Sequence, residues 1–144
     1  MTGTRLGNRQ IGTDHEPLLI AELSGNHNGS MERALAIVDA AADAGAHALK
    51  LQTYTADRLT LDLSEGPFLV PEGSPLWSGR SLHDLYREAF TPWEWHPAIF
   101  ARCRERGLIC FSTPCDEDAV AFLEGLECPA YKIASFECTH LPLI

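Results

Sequence analysis

Two periods alternate in the hydrophobic and polar positions of this chain, and the switches between them mark its elements. Residues 18–23 form a short apolar run after Pro17 and read as a buried strand. The run gives way to Ser24-Gly25-Asn26-His27-Asn28-Gly29, a polar loop rich in turn formers. Ser30 suits a helix N-cap, with Glu32 in the first turn. Met31, Ala34, Leu35, Val38, Ala41 and Ala42 recur at the helical period, and Gly45 is the expected stop. A second strand covers 46–54, Ala46-His47-Ala48-Leu49-Lys50-Leu51-Gln52-Thr53-Tyr54. A long connection over 55–90 follows, punctuated by Gly66, Pro67, Pro71, Gly73, Pro75 and Gly79. Such a connection is longer than compact folds usually keep without a role. A short helix is expected within it, over 82–90. Thr91 as a cap and Pro92 at the first position predict a helix running to Gly107. A third strand is expected over 108–113, a helix over 116–126 and a fourth strand over 130–135. A further element begins at 141–144.

Strand and helix alternate, which implies parallel strands covered by helices. The loop after the first strand lacks the three spaced glycines of a dinucleotide-binding turn. That leaves a (β/α) barrel or a flavodoxin-like sheet, with 1–17 as an N-terminal segment ahead of an α/β domain over 18–144.

Composition narrows the function classes. The 144 residues are 45% hydrophobic and 22% charged, the make-up of an ordinary globular domain. Twenty acidic against 11 basic residues give a net charge of −9 and no basic patch, which argues against nucleic acid. No apolar run approaches the ~20 residues of a membrane span. Residues 1–10 are polar and lack the apolar core of a signal peptide, so a cytoplasmic protein is expected. Five cysteines, an odd number, are expected as free thiols. No Cys-x-x-Cys pair points to zinc.

The candidate chemistry starts from the second strand. Lys50 and Gln52 stand two apart in an apolar run, so both point to one face. They form either a solvated edge or one wall of a polar site. In both architectures a site lies at the carboxyl ends of the strands. Glu22, Ser24, Asn26 and His27 stand at the end of the first, and Lys50, Gln52, Thr53 and Tyr54 at the second. Ser112 and Thr113 stand at the third, and Lys132, Ser135 and Glu137 at the fourth. Two lysines and several hydroxyls suit a small phosphorylated anion. Glu22 is a base, a ligand for a substrate hydroxyl, or the ion-pair partner of one of the lysines. His27 either contacts substrate or hydrogen-bonds to loop backbone, and His96 reads as structural. Trp77, Trp93, Trp95 and Phe100 are expected to pack the long connection onto the sheet. A Schiff-base lysine at Lys50 or Lys132, as in an aldolase, is the rival chemistry.

These residues also carry a resemblance. Ile20-Ala21-Glu22-Leu23-Ser24-Gly25-Asn26-His27-Asn28-Gly29 resembles the opening motif of the sialic-acid synthase family. Leu49-Lys50-Leu51-Gln52-Thr53-Tyr54-Thr55-Ala56-Asp57 resembles its second strand. Phe111-Ser112-Thr113-Pro114 and Tyr131-Lys132-Ile133-Ala134-Ser135-Phe136-Glu137 are similar to its third and fourth. Ser81-Leu82-His83-Asp84-Leu85-Tyr86 and Thr91-Pro92-Trp93-Glu94-Trp95-His96 are similar to its pseudaminic acid synthase branch.

The resemblance implies a TIM (β/α)8 barrel and a carbon–carbon bond-forming transferase. Phosphoenolpyruvate would add to the aldehyde of an open-chain, N-acetylated amino sugar, giving a nonulosonic acid and phosphate. It implies that Lys50 and Lys132 hold phosphoenolpyruvate, helped by Thr113 and Ser135, and that Glu22 is catalytic. Asn26, His27, Gln52, Tyr54, Ser112 and Glu137 join them as expected substrate-binding residues. A divalent metal, manganese or magnesium, is implied, with its ligands outside this chain, as is a homodimer. The resemblance disfavours the Schiff base. Two positions depart from the pattern: Cys115 stands where the family carries phenylalanine, and Cys138 follows Glu137 as in the sialic-acid type. A closed barrel needs about 200 residues or more, so the chain is expected to form the first four β/α units, inactive alone. The alternative is a non-catalytic half-barrel that binds sugar phosphates or assembles with a partner chain.

Overall fold

A parallel sheet of three strands organises the chain. Its order is β3 (Ile20–Glu22), β4 (Ala48–Thr53), β5 (Ile109–Pro114) when the strands are numbered after an N-terminal hairpin of β1 (Thr4–Leu6) and β2 (Arg9–Ile11). The computed structural model describes residues 4–74 and 77–144. Pro75 of the long connection and the first three residues of the polar N-terminal segment lie outside them.

The hairpin is an element that the polarity of 1–17 concealed. Gly7 and Asn8 join β1 to β2 in a two-residue turn, and Gly7 takes a positive φ of 54° there. Leu6 is the one buried residue of the hairpin, packed with Ala48 and Phe111. One face of the sheet therefore rests on this hairpin.

The first strand is shorter than its apolar run. The Leu19 N–H donates to His47 Nδ1 at 3.0 Å, its carbonyl accepts the Ala48 N–H at 3.2 Å, and the paired residues start at Ile20. The fourth strand expected over 130–135 reduces to a single parallel bridge between Ser112 and Tyr131, with the Lys132 N–H donating to Ser112 O at 3.0 Å. Pro129 has no N–H to offer, and among the described residues no strand lies beyond to pair the outer edge.

The helices follow the periodic pattern closely. α1 (Met31–Asp43) is capped by Ser30, whose hydroxyl accepts the Arg33 N–H at 3.2 Å, and Gly45 follows its end at φ 82°. The long connection holds α2 (Ala56–Leu59) and α3 (Leu82–Ala89), the latter capped by Ser81. The helix expected from Thr91 starts later. A 3-10 turn occupies Trp93–Trp95, and α4 spans His96–Glu105. The Thr91 hydroxyl, expected to cap that helix, instead bonds His27 Nε2 at 3.2 Å. α5 (Glu117–Glu124) is capped by Asp116.

α1, α4 and α5 cover the same side of the sheet. Ala34 and Val38 from α1, Ile99 and Cys103 from α4, and Leu123 from α5 enclose Leu49 and Leu51. Fully burying a valine, leucine or isoleucine side chain contributes about 1.5–3 kcal/mol. On the opposite side Ala48 and Phe111 pack with Leu6 of the hairpin, and Leu18, Cys128 and Ala130 join them. A doubly wound sheet would have helices on both sides. One-sided cover is the arrangement of part of a barrel wall, and this disfavours the flavodoxin-like alternative. All five cysteines are free thiols. Among the described residues no helix is long and apolar enough to cross a membrane.

Candidate active site

Strand register sorts the predicted site residues by face. Glu22 pairs with Lys50, Lys50 with Phe111, and Gln52 with Thr113. Side chains alternate along a strand, so Glu22, Lys50, Gln52 and Thr113 all stand on the face away from the helices. Tyr131 bridges Ser112 and packs with the helix-side core, which places Lys132 on the same face as Thr113. Five of the expected residues thus share one surface at the carboxyl ends of the strands.

Lys50 anchors that surface. It is only 5% exposed, and its Nζ lies 2.6 Å from Glu22 Oε2. A buried ammonium is expensive without a partner, and Glu22 provides one. The Glu22 side chain remains 54% exposed, so its carboxylate is open to a ligand while paired. The ion-pair alternative raised from the sequence is therefore realised, and it leaves a base or hydroxyl ligand available at the same atoms.

Ser112 and Thr113 are adjacent in a strand and cannot share a face. Ser112 is fully buried on the helix side, its Oγ 2.7 Å from Thr53 Oγ1. Thr53 in turn lies 3.0 Å from His96 Nε2, and His96 Nδ1 lies 3.2 Å from Pro92 O. A carbonyl only accepts, so Nδ1–H donates to Pro92, Nε2 accepts from Thr53, and Thr53 accepts from Ser112. Burial holds His96 down to about 4, in keeping with this neutral tautomer. Ser112 is a member of this relay beneath the sheet, not of the site.

His27 is likewise removed from the site. The ring is fully buried, Nδ1 accepts the Gly29 N–H at 3.1 Å, and Nε2–H donates to Thr91. Burial lowers its pKa, and Trp95 packs edge-on at 5.4 Å. Both nitrogens are occupied within the chain, the backbone alternative of the sequence reading. Tyr54 also turns inward: its ring packs edge-on against Tyr86, and its carbonyl accepts from Trp93 Nε1. Burial first, then the nearby Cys115 and Tyr86, pushes its phenol up to about 12. The strand ends at Thr53, so the alternation that would have aimed Tyr54 beside Gln52 no longer holds.

Asn26 is exposed in the loop after β3, and Ser135 is exposed after the Tyr131 bridge. Glu137 opens a 3-10 turn, Glu137–Thr139, and is buried. Cys115 follows β5, and its thiol is raised to about 12 by burial and then by Glu137 and Asp116, while Lys132 opposes the shift. Asp116 was legible in the sequence only as the start of a helix. Its position in the strand-to-helix loop at the carboxyl end of β5 was the available signal.

A parallel α/β wall with a lysine–carboxylate pair at its strand ends is the class of protein these observations define. The chain belongs to the NeuB family, whose pattern matches residues 37–144. It is 49% identical over 131 residues to a pseudaminic acid synthase of Campylobacter jejuni, covering 89% of this chain and 38% of that protein. It is 44% identical over 128 residues to the pseudaminic acid synthase of Helicobacter pylori, covering 89% of this chain and 37% of that one. The crystal structure of the sialic acid synthetase of Leptospira borgpetersenii superposes with a TM-score of 0.80 at 26% identity. That superposition covers 98% of this chain and 44% of the synthetase. The chain thus spans about 38% of the length of the curated relatives it matches.

Proposed function

We propose that this chain forms the first wall of a (β/α)8 barrel synthase and supplies its phosphoenolpyruvate-binding face. The observation that carries the reading is the buried Lys50, paired with Glu22 at 2.6 Å on the open face of the sheet. In this reading Lys50 and Lys132 hold the phosphate and carboxylate of phosphoenolpyruvate, with Thr113, Ser135 and Gln52 adding hydrogen bonds. The methylene carbon of phosphoenolpyruvate bonds to the aldehyde carbon of an open-chain, N-acetylated amino sugar, and the aldehyde oxygen takes a proton. Water adds to the neighbouring carbon, Glu22 accepts its proton, and inorganic phosphate leaves to give a 2-keto nonulosonic acid. Relatives named pseudaminic acid synthase support that kind of product. A divalent ion, manganese or magnesium, belongs to this reading; it would take its ligands from outside this chain and polarise the aldehyde oxygen. A cytoplasmic homodimer completes the reading.

A chimera tests it: residues 1–144 replace the matching segment of the Campylobacter synthase. Phosphate release is then measured with phosphoenolpyruvate and a panel of N-acetylated amino sugars, with and without manganese. The chimera is expected to release phosphate only when both substrates are present, and to lose this with Lys50→Ala. The isolated 144-residue chain is expected to release none. A chimera that folds but never turns over refutes the activity; turnover by the isolated chain refutes the half-barrel part.

A second reading, a non-catalytic half-barrel that joins a partner chain, is favoured by one observation. Leu19 and Ile20 are exposed at one sheet edge, and Phe136, Leu141 and Ile144 beyond the other. Unpaired edges of this kind invite association.

A further inference from the structure

Three buried polar atoms near the carboxyl end of β5 lack a partner among the described residues. They are Thr113 Oγ1, Asp116 Oδ2 and Glu137 Oε2. Their residues are 4%, 6% and 9% exposed. A buried group left unsatisfied costs about 1–3 kcal/mol, and native proteins keep few of them. Three at one strand end therefore mark a place where something else completes the hydrogen bonds.

Asp116 is the informative member. Its Oδ1 accepts the Ala119 N–H at 2.7 Å and caps α5. Capping needs one oxygen. The second oxygen of an exposed cap is left to water, whereas this one is enclosed. Asp116 and Glu137 both raise the Cys115 thiol. The phosphate of phosphoenolpyruvate has no donor to offer these oxygens, and its place is beside Lys50 and Lys132. Carboxylate oxygens only accept, so the missing partner brings O–H or N–H donors.

We propose that Asp116, with Glu137, receives the hydroxyl and amide donors of the acceptor sugar and so helps decide which sugar is used. This rests on the function proposed above and adds a residue to it. Hydrogen bonds to a carboxylate are among the stronger ones. A site built to receive a donor rejects an analogue that lacks it far better than an apolar pocket rejects an extra group.

Asp116→Asn is the discriminating variant. Asparagine caps helices as well as aspartate does, so its oxygen can keep the Ala119 bond. Its NH2 then stands where Oδ2 stood, a donor facing donors. The wild-type chain and the variant are titrated calorimetrically with phosphoenolpyruvate and, separately, with N-acetylmannosamine. KM for each substrate is measured in the chimera as a second reading. The variant is expected to melt as the wild type does and to bind phosphoenolpyruvate within about twofold. Its sugar Kd, and its KM for the sugar, are expected to rise about tenfold or more, the effect of ~1.4 kcal/mol. Asp116→Ser, which also caps, is expected to show the same loss. Unchanged sugar affinity in a variant with an unchanged melt overturns the proposal. Wild-type chain that binds phosphoenolpyruvate but no sugar overturns it and leaves the proposed function standing; binding of neither overturns both.

Discussion

Acidification to pH 5 should weaken this fold, with His96 the main contributor. The ring is fully buried beneath β4 and β5, with Nδ1–H on Pro92 O and Nε2 accepting from Thr53. Protonation would put a hydrogen on Nε2, remove that acceptor and charge a buried ring. Burial accordingly lowers the pKa from 6.5 to about 4. The unfolded chain therefore binds more protons than the folded one between those values, and stability falls as pH drops through that window. From pH 7 to pH 5 the loss from His96 alone is about 2 kcal/mol, approaching ~3 kcal/mol below pH 4. His27, also lowered by burial, adds to the loss in the same direction.

Urea unfolding at pH 7 and pH 5, at one fixed protein concentration, measures the wild type against His96→Gln. The glutamine carbonyl can still accept from Thr53, and the side chain does not titrate. The variant is expected to be less stable at pH 7 but to lose about 2 kcal/mol less than the wild type on acidification. His27 is common to both, so the difference isolates His96. Equal losses in the two proteins would refute both the buried neutral tautomer and the relay built on it.

Two further outcomes follow from the same geometry. Ser112→Ala should cost about 1 kcal/mol of stability by removing a buried donor to Thr53, and leave phosphoenolpyruvate affinity unchanged. Thr113→Val removes a hydroxyl with no partner among the described residues, so it should spare the melt and weaken phosphoenolpyruvate binding; calorimetry and melting of the pair check both. The isolated chain should sediment as more than a monomer, and Phe136→Ser with Leu141→Ser should shift it toward monomer in analytical ultracentrifugation, because those side chains are 94% and 78% exposed. A monomer with a cooperative melt would contradict the association.

Much of the fold was legible because local and global signals agreed. Ser30 and Asp116 cap the helices that the periodicity predicts, and Gly45 ends α1. What the pattern missed depends on partners distant in sequence. The Leu19 N–H is taken by a side chain 28 residues away, His47. Thr91 has the composition of a cap, yet its hydroxyl is held by His27, 64 residues earlier. The hairpin at Thr4–Ile11 is stabilised on one side by Leu6 against Phe111, a contact no local window contains.

The site residues divide along a rule that the sequence did hold. Lys50 and Gln52 are two apart, and the structure keeps them on one face with Glu22 and Thr113. Ser112 and Thr113 are one apart, so naming both as ligands conflicted with strand alternation from the start. Burial decided which one turned inward. Ser112 has Thr53 to bond beneath the sheet, whereas Thr113 has no such partner and stands in register with Gln52. Helix packing consumes the satisfied hydroxyl, and the unsatisfied one is left for ligand. The same test separates His27, with both nitrogens engaged, from Asp116 and Glu137, each with a buried oxygen still open. At the carboxyl ends of these strands, an unmet hydrogen-bonding demand is a better guide to function than residue type.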